Sequence, residues 1–187
     1  MSAKKYILCF DLAIGFLLLV LYLSFSTPKI SRLIHGDLEN KSNTGFIVKE
    51  GDIAPDFSID INDSTSFVLR DHREEIIVLH FINGSSSYYN DTNYANDEIW
   101  AEYNYRNDFT ILGIACGMNR KDVENMKSYN SLEYDIAADR TNKIHEKYSN
   151  DQTPSGGYVL IGKDGKIIKT YNYSEREELI KKIERVF

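Results

Sequence analysis

Two runs of apolar residues organise the chain. EEIIVLHFI is nearly continuous from Ile76 to Ile82, and DFTILGIAC runs from Asp108 to Cys116. Runs of this length without alternation predict strands buried on both faces, as in a parallel sheet. Alternation precedes them: Phe57, Ile59 and Ile61, a break at Asn62-Asp63-Ser64, then Phe67 and Leu69. That pattern predicts a β-hairpin. Between the two runs, Ala95, Ile99, Trp100 and Tyr103 recur at helical spacing within Asp91 to Tyr105.

The pattern continues after Cys116. In NRKDVENMKSYN, Asn119 suits an N-cap and Val123 and Met126 share a face. YDIAAD predicts a short strand and RTNKIHEKYS a short helix. GYVLIGKDGKIIKTYN predicts a second hairpin around Lys163-Asp164-Gly165, because Asp-Gly supports the backbone of a tight turn. Ser174 and Glu177 have the spacing of a capping box. It would open a last helix whose apolar face is Leu179, Ile180, Ile183, Val186 and Phe187. Buried strands alternating with helices imply α/β layers, with the late hairpin adding antiparallel strands at one side.

The N-terminus has a different pattern. Lys4 and Lys5 precede an apolar run from Tyr6 to Phe25, and Thr27-Pro28-Lys29 ends it. The run just reaches the ~20 residues a helix needs to cross a bilayer. Its one acid, Asp11, sits in the first turns, within reach of the interface. The expected organisation is therefore a cytoplasmic stub (1–5), a transmembrane signal-anchor (6–26), a polar tether (27–50) and a compact body (51–187). Lysines ahead of the span place the body outside the cytoplasm by the positive-inside rule, an asymmetry that Lys29 and Arg32 soften. A cleavable signal peptide ending near Ser24 or Ser26 is the rival reading, and the length of the run favours the anchor.

Composition narrows the function classes. The net charge of −6 and pI of about 5.3 give no basic footprint for nucleic acid. Thirteen tyrosines suggest a compositional habit or a polar aromatic surface. The two cysteines, Cys9 and Cys116, lie in different regions, so no structural disulfide is expected. His35, His72, His80 and His145 are scattered without the spacing of a metal site, and no cofactor is expected. His80, inside an apolar run, reads as a satisfied core side chain. The Asn-x-Ser/Thr sequons at Asn40, Asn62, Asn83, Asn90 and Asn172 read as chance in an Asn-rich chain.

In their order, GDIAPDFSI…FVLRD…EEIIVLHFI, FTILGIACGMNRKDVENM and YDIAADRTNKIHEKYSNDQTPSGGYVLIGKDGKII resemble the thioredoxin-like redoxin group. That group joins the alkyl hydroperoxide reductase/thiol-specific antioxidant peroxiredoxins to membrane-anchored, periplasmic thiol–disulfide oxidoreductases. The resemblance covers about Gly51 to Phe187. It implies a thioredoxin-like α/β fold, a mixed central sheet flanked by helices, with an extra N-terminal β-hairpin.

The resemblance also exposes a departure. The oxidoreductases carry Cys-x-x-Cys where the helix starts after the first buried strand. Aligning Phe81 with the family's Phe puts Ser86 and Tyr89 at those positions, and the peroxiredoxin register puts the reactive cysteine near Asn90. No register between Phe81 and Trp100 contains a cysteine. The chemistry needs a thiolate, and a serine hydroxyl replaces it only beside a base. Ser85, Ser86, Ser87 and Asp91 read more simply as caps for the helix. The family's cis-proline loop, which lines its peptide-binding surface, corresponds to Thr153 and Pro154.

The body then retains one thiol, Cys116, expected beside the vacated site on a strand parallel to that of Phe81. The leading expectation is a membrane-tethered domain of the bacterial envelope. It lacks thiol–disulfide activity and acts as a binding or accessory module for an envelope protein or peptide at the Pro154 groove. The alternatives are an oxidoreductase or peroxidase working through Cys116 and a structural role for tyrosine-rich surfaces.

Overall fold

The first buried run forms the centre of the sheet. In the computed structural model, which describes residues 45–83, 98–151 and 156–187, Ile76–Asn83 is a strand between two neighbours. Seven of its eight residues are buried, which explains its lack of alternation. The anchor, most of the tether, Ser85–Asp91, Thr153 and Pro154 lie outside the described residues. So the expected anchor, the helix caps and the cis proline have no structural account. Among the described residues no helix is long and apolar enough to cross a membrane.

In chain order the strands are β1 (Ser58–Asp60), β2 (Ser66–Val68), β3 (Ile76–Asn83), β4 (Phe109–Cys116), β5 (Asp135–Asp139), β6 (Gly157–Ile161) and β7 (Ile167–Tyr171). β1 and β2 form the expected hairpin. Its turn closes through Asn62, whose Oδ1 accepts from the Ser64 N–H at 2.9 Å. The main sheet has the order β5-β4-β3-β6-β7. β3, β4 and β5 run parallel, and β6 and β7 add antiparallel neighbours. This is the mixed sheet that the sequence pattern implies.

Helices cover both faces. α1 (Arg120–Asn130) opens with the capping box Asn119–Asp122, so the expected N-cap is present. It buries Val123 and Met126. α2 (His145–Tyr148) is a single turn, shorter than its sequence suggests. α3 (Arg176–Val186) buries Leu179 and Ile183. Residues 98–103 are helical and place Ile99 in the core, 2% exposed. One apolar cluster joins these longer helices to the even-numbered side chains of β3. A second joins the hairpin and α2 to Ile77, Leu79 and Phe81. Each buried aliphatic side chain contributes ~1.5–3 kcal/mol of transfer free energy, so these two layers hold the sheet edge in position.

Three sequence expectations need correction. The last helix is not opened by Ser174 and Glu177. Asn172 and Glu175 form the capping box, around a 3-10 turn that leads into α3. Both pairs have the same i, i+3 spacing, and the Asn172 backbone adopts the extended cap geometry, at φ −84° and ψ 172°, whereas Ser174 lies inside the 3-10 turn.

The ordered body also starts before Gly51. The Ile47 N–H donates to the Tyr148 carbonyl at 2.8 Å, and the Phe46 ring lies 5.4 Å from that of Phe81. The described residues from Gly45 onward thus belong to one compact unit. Nor are the tyrosines only a surface feature: among the described residues Tyr134, Tyr148, Tyr158 and Tyr171 are core side chains, at most 1% exposed.

Candidate functional site

At the carboxyl edge of the parallel strands, Asn83 on β3 pairs in register with Cys116 on β4, and Cys116 pairs with Asp139 on β5. Parallel α/β sheets bind ligands at this edge. It is also where the chain leaves β3 toward Ser86 and Tyr89, both outside the described residues. The expected neighbourhood of Cys116 and the end of β3 is therefore present.

The chemistry of the thiol is another matter. Cys116 is 3% exposed and belongs to the apolar cluster beneath α2. Its Sγ donates to the Ile114 carbonyl at 3.5 Å. Burial pushes the thiol well above its ordinary pKa, and the Asp139 charge adds to the shift. A nucleophilic cysteine needs the opposite setting, a partly exposed, electropositive one.

Asp139 owes its position to α2. Its Oδ2 accepts from the Ile144 and His145 N–H groups at 2.9 and 3.0 Å. Two backbone donors satisfy an otherwise costly buried charge. The His145 ring stands edge-on to Phe81, with centroids 6.0 Å apart.

The other face of β3 carries His80, which is fully buried. Its ring stacks on Tyr158 at 5.0 Å, and its Nδ1 shares a 3.3 Å hydrogen bond with the Tyr134 hydroxyl. Burial pushes its pKa down to about 3, so the ring is neutral near neutral pH. The sequence reading of His80 as a satisfied core residue matches this geometry.

Sequence reasoning missed Tyr173. Its hydroxyl donates to the Phe81 carbonyl at 2.7 Å, and its ring covers Gly156. A Cβ on Gly156 would meet that hydroxyl, and one on Gly157 would lie 2.4 Å from the Tyr171 carbonyl oxygen. The glycine pair in SGGY was the available signal. It marks a close approach of side chain and backbone at the start of β6.

Comparisons agree with this geometry. The AhpC/TSA family matches residues 50–170. Among curated proteins none matches the sequence. A protein from Bacteroides thetaiotaomicron assigned as a protein disulfide isomerase superposes with a TM-score of 0.70 at 24% identity, over 76% of this chain and 92% of that one. One from Chlorobium tepidum, assigned as the thiol:disulfide interchange protein DsbE, gives 0.64 at 17%, over 74% and 98%. The bacterioferritin comigratory protein of Xanthomonas campestris, known for alkyl peroxide reduction, gives 0.62 at 12%, over 74% and 96%. At these identities the likeness establishes the thioredoxin-like fold.

Proposed function

The chain belongs to the AhpC/TSA family, and on that premise we propose that it is a redoxin scaffold used for binding rather than for thiol–disulfide exchange. One observation carries the proposal. The single thiol of the body is buried, bonded to its own strand and disfavoured as a thiolate by both burial and Asp139. The family's cysteine positions hold Ser86 and Tyr89, which cannot supply the missing nucleophile without a base.

In this reading the run 6–26 anchors the chain in the bacterial cytoplasmic membrane, with the body outside the cytoplasm. An envelope protein or peptide engages the loop of Thr153 and Pro154. Support comes from the length of the apolar run and the lysines ahead of it, and from the alignment of Thr153 and Pro154 with the family's peptide-facing loop. Protease treatment of intact and permeabilised cells tests the topology. Cleavage of the body only after permeabilisation of the cytoplasmic membrane would reject it.

The competing reading is a thiol-dependent oxidoreductase or peroxidase working through Cys116, favoured by the oxidoreductases and the peroxide-reducing protein among the structural relatives. Insulin reduction and peroxide consumption by the full chain decide between the two. The binding role expects neither activity above the rate without protein. Turnover that is abolished in Cys116→Ser would overturn it.

A further inference from the structure

A cleft of about 440 Å3 opens at the amino end of β3, the opposite end of the sheet from Asn83, Cys116 and Asp139. Its floor is apolar: Ala54, Leu69, Ile77 and Ile161 line it, and each is 7% exposed or less. The volume lies within the ~300–1,000 Å3 typical of small-molecule sites, which pair an apolar lining with a few fixed polar groups.

The rim carries charges of both signs, but among the described residues only one is uncommitted. Asp56 accepts from the Arg70 N–H at 3.2 Å and lies 3.6 Å from its guanidinium. Asp164 accepts from the Lys166 N–H at 3.1 Å and lies 3.7 Å from its ammonium. Both acids are thus answered from within the protein. Arg73 also lines the cleft, and among the described residues it has no ion pair or hydrogen bond. The charge left to meet a ligand is a guanidinium, which favours a carboxylate.

The wall beside Arg73 is held in place before any ligand arrives. His72 Nδ1 donates to both carboxylate oxygens of Glu75, at 3.1 and 3.2 Å. Glu75 Oε2 also accepts from Thr110 Oγ1 at 2.5 Å. The His72 ring stacks on Phe67 with centroids 4.3 Å apart. Glu74 has φ +78°, and its N–H donates to the Lys163 carbonyl at 3.0 Å, tying this segment to the β6–β7 turn. A non-glycine residue in that region is strained and persists only where its surroundings enforce it. A wall already ordered lowers the entropy a ligand must give up on binding.

We propose that this cleft binds a small amphipathic carboxylate, with its apolar chain on Ala54, Leu69, Ile77 and Ile161 and its head on Arg73. The site is distinct from the edge that carries Asn83, Cys116 and Asp139. Octanoate, kept below its micelle concentration, is the probe, titrated into the full chain while the Ile77 and Ile161 methyl resonances are followed. Octanol serves as the uncharged control.

The expected result is saturable shifts of both methyls, with octanoate binding about ten-fold more tightly than octanol. Arg73→Gln, at an exposed position, should remove that about ten-fold preference and leave octanol binding and the melting temperature unchanged. Absence of saturable shifts at the two methyls, equal affinity for both probes, or an unchanged preference in Arg73→Gln would each overturn the proposal.

Discussion

Asn83 and Cys116 are register partners at the carboxyl ends of β3 and β4. Neighbouring strands lie ~4.8 Å apart, so the body's one thiol sits a single strand from where its family hands a reactive cysteine to a helix. Its surroundings disfavour the thiolate. The side chain points into the cluster beneath α2, next to a carboxylate.

A thiol reagent should therefore modify Cys116 at least ~100-fold more slowly in the native protein than in denaturant, because reaction awaits local opening. Mass spectrometry of the Cys116 peptide separates it from Cys9. Rapid stoichiometric labelling of the folded chain would contradict the burial described above.

Asp139→Asn separates the two causes of the raised thiol pKa. It removes the charge beside Cys116 and weakens two charge-assisted bonds to the Ile144 and His145 N–H groups. A loss of about 1–3 kcal/mol in denaturant unfolding is expected. Burial is the larger cause of the raised thiol pKa. Labelling of Cys116 in native Asp139→Asn should thus stay slow once the change in stability is taken into account.

His80 sets a pH dependence. Its folded pKa, about 3, lies below the ordinary value of 6.5, so between these values the unfolded chain binds a proton that the folded chain does not. Stability is then full above pH 6.5 and falls as pH drops toward 3, by up to ~1.4 kcal/mol per unit. Asp108, held down to about 2 by hydrogen bonds from Arg106 and Lys163, loses its contribution only below its ordinary 3.8. Urea unfolding at pH 7.5 and 4.5 should show a drop about 2–3 kcal/mol larger in the native sequence than in His80→Gln. Equal drops would remove His80 as the cause.

Gly157 and Gly165 make a matched pair of tests. Both have positive φ, at +143° and +74°, but a Cβ at Gly157 meets the Tyr171 carbonyl oxygen whereas one at Gly165 meets nothing within 4 Å. Gly165→Ala should cost about 1 kcal/mol for its backbone conformation alone. Gly157→Ala should cost more than about 2 kcal/mol, since backbone must move as well. Chemical denaturation of the two variants measures the difference.

Much of the fold was legible because burial leaves a local trace. The continuous run of β3, the alternation of the first hairpin, the Asp164-Gly165 turn and the Asn119 cap each follow from residues close together in the chain. The misplaced cap at Ser174 shows the limit of such signals. Two candidate boxes overlapped, and the choice depended on which backbone turned first. Residues 45–50 carry only a three-residue apolar run, Phe46-Ile47-Val48, too short to show a period, and Phe81, the partner of Phe46, is far along the chain.

The sequence alone determined the family resemblance, the order of strands and helices, and the absence of cysteine between Phe81 and Trp100. These are properties of residue identity and short-range periodicity. Only the tertiary structure decided that Cys116 is sealed beside Asp139, that four tyrosines lie in the core and that Arg73, uncommitted among the described residues, lines an apolar cleft. Desolvation and charge pairing depend on neighbours supplied by distant strands, and no periodicity records which strands those will be.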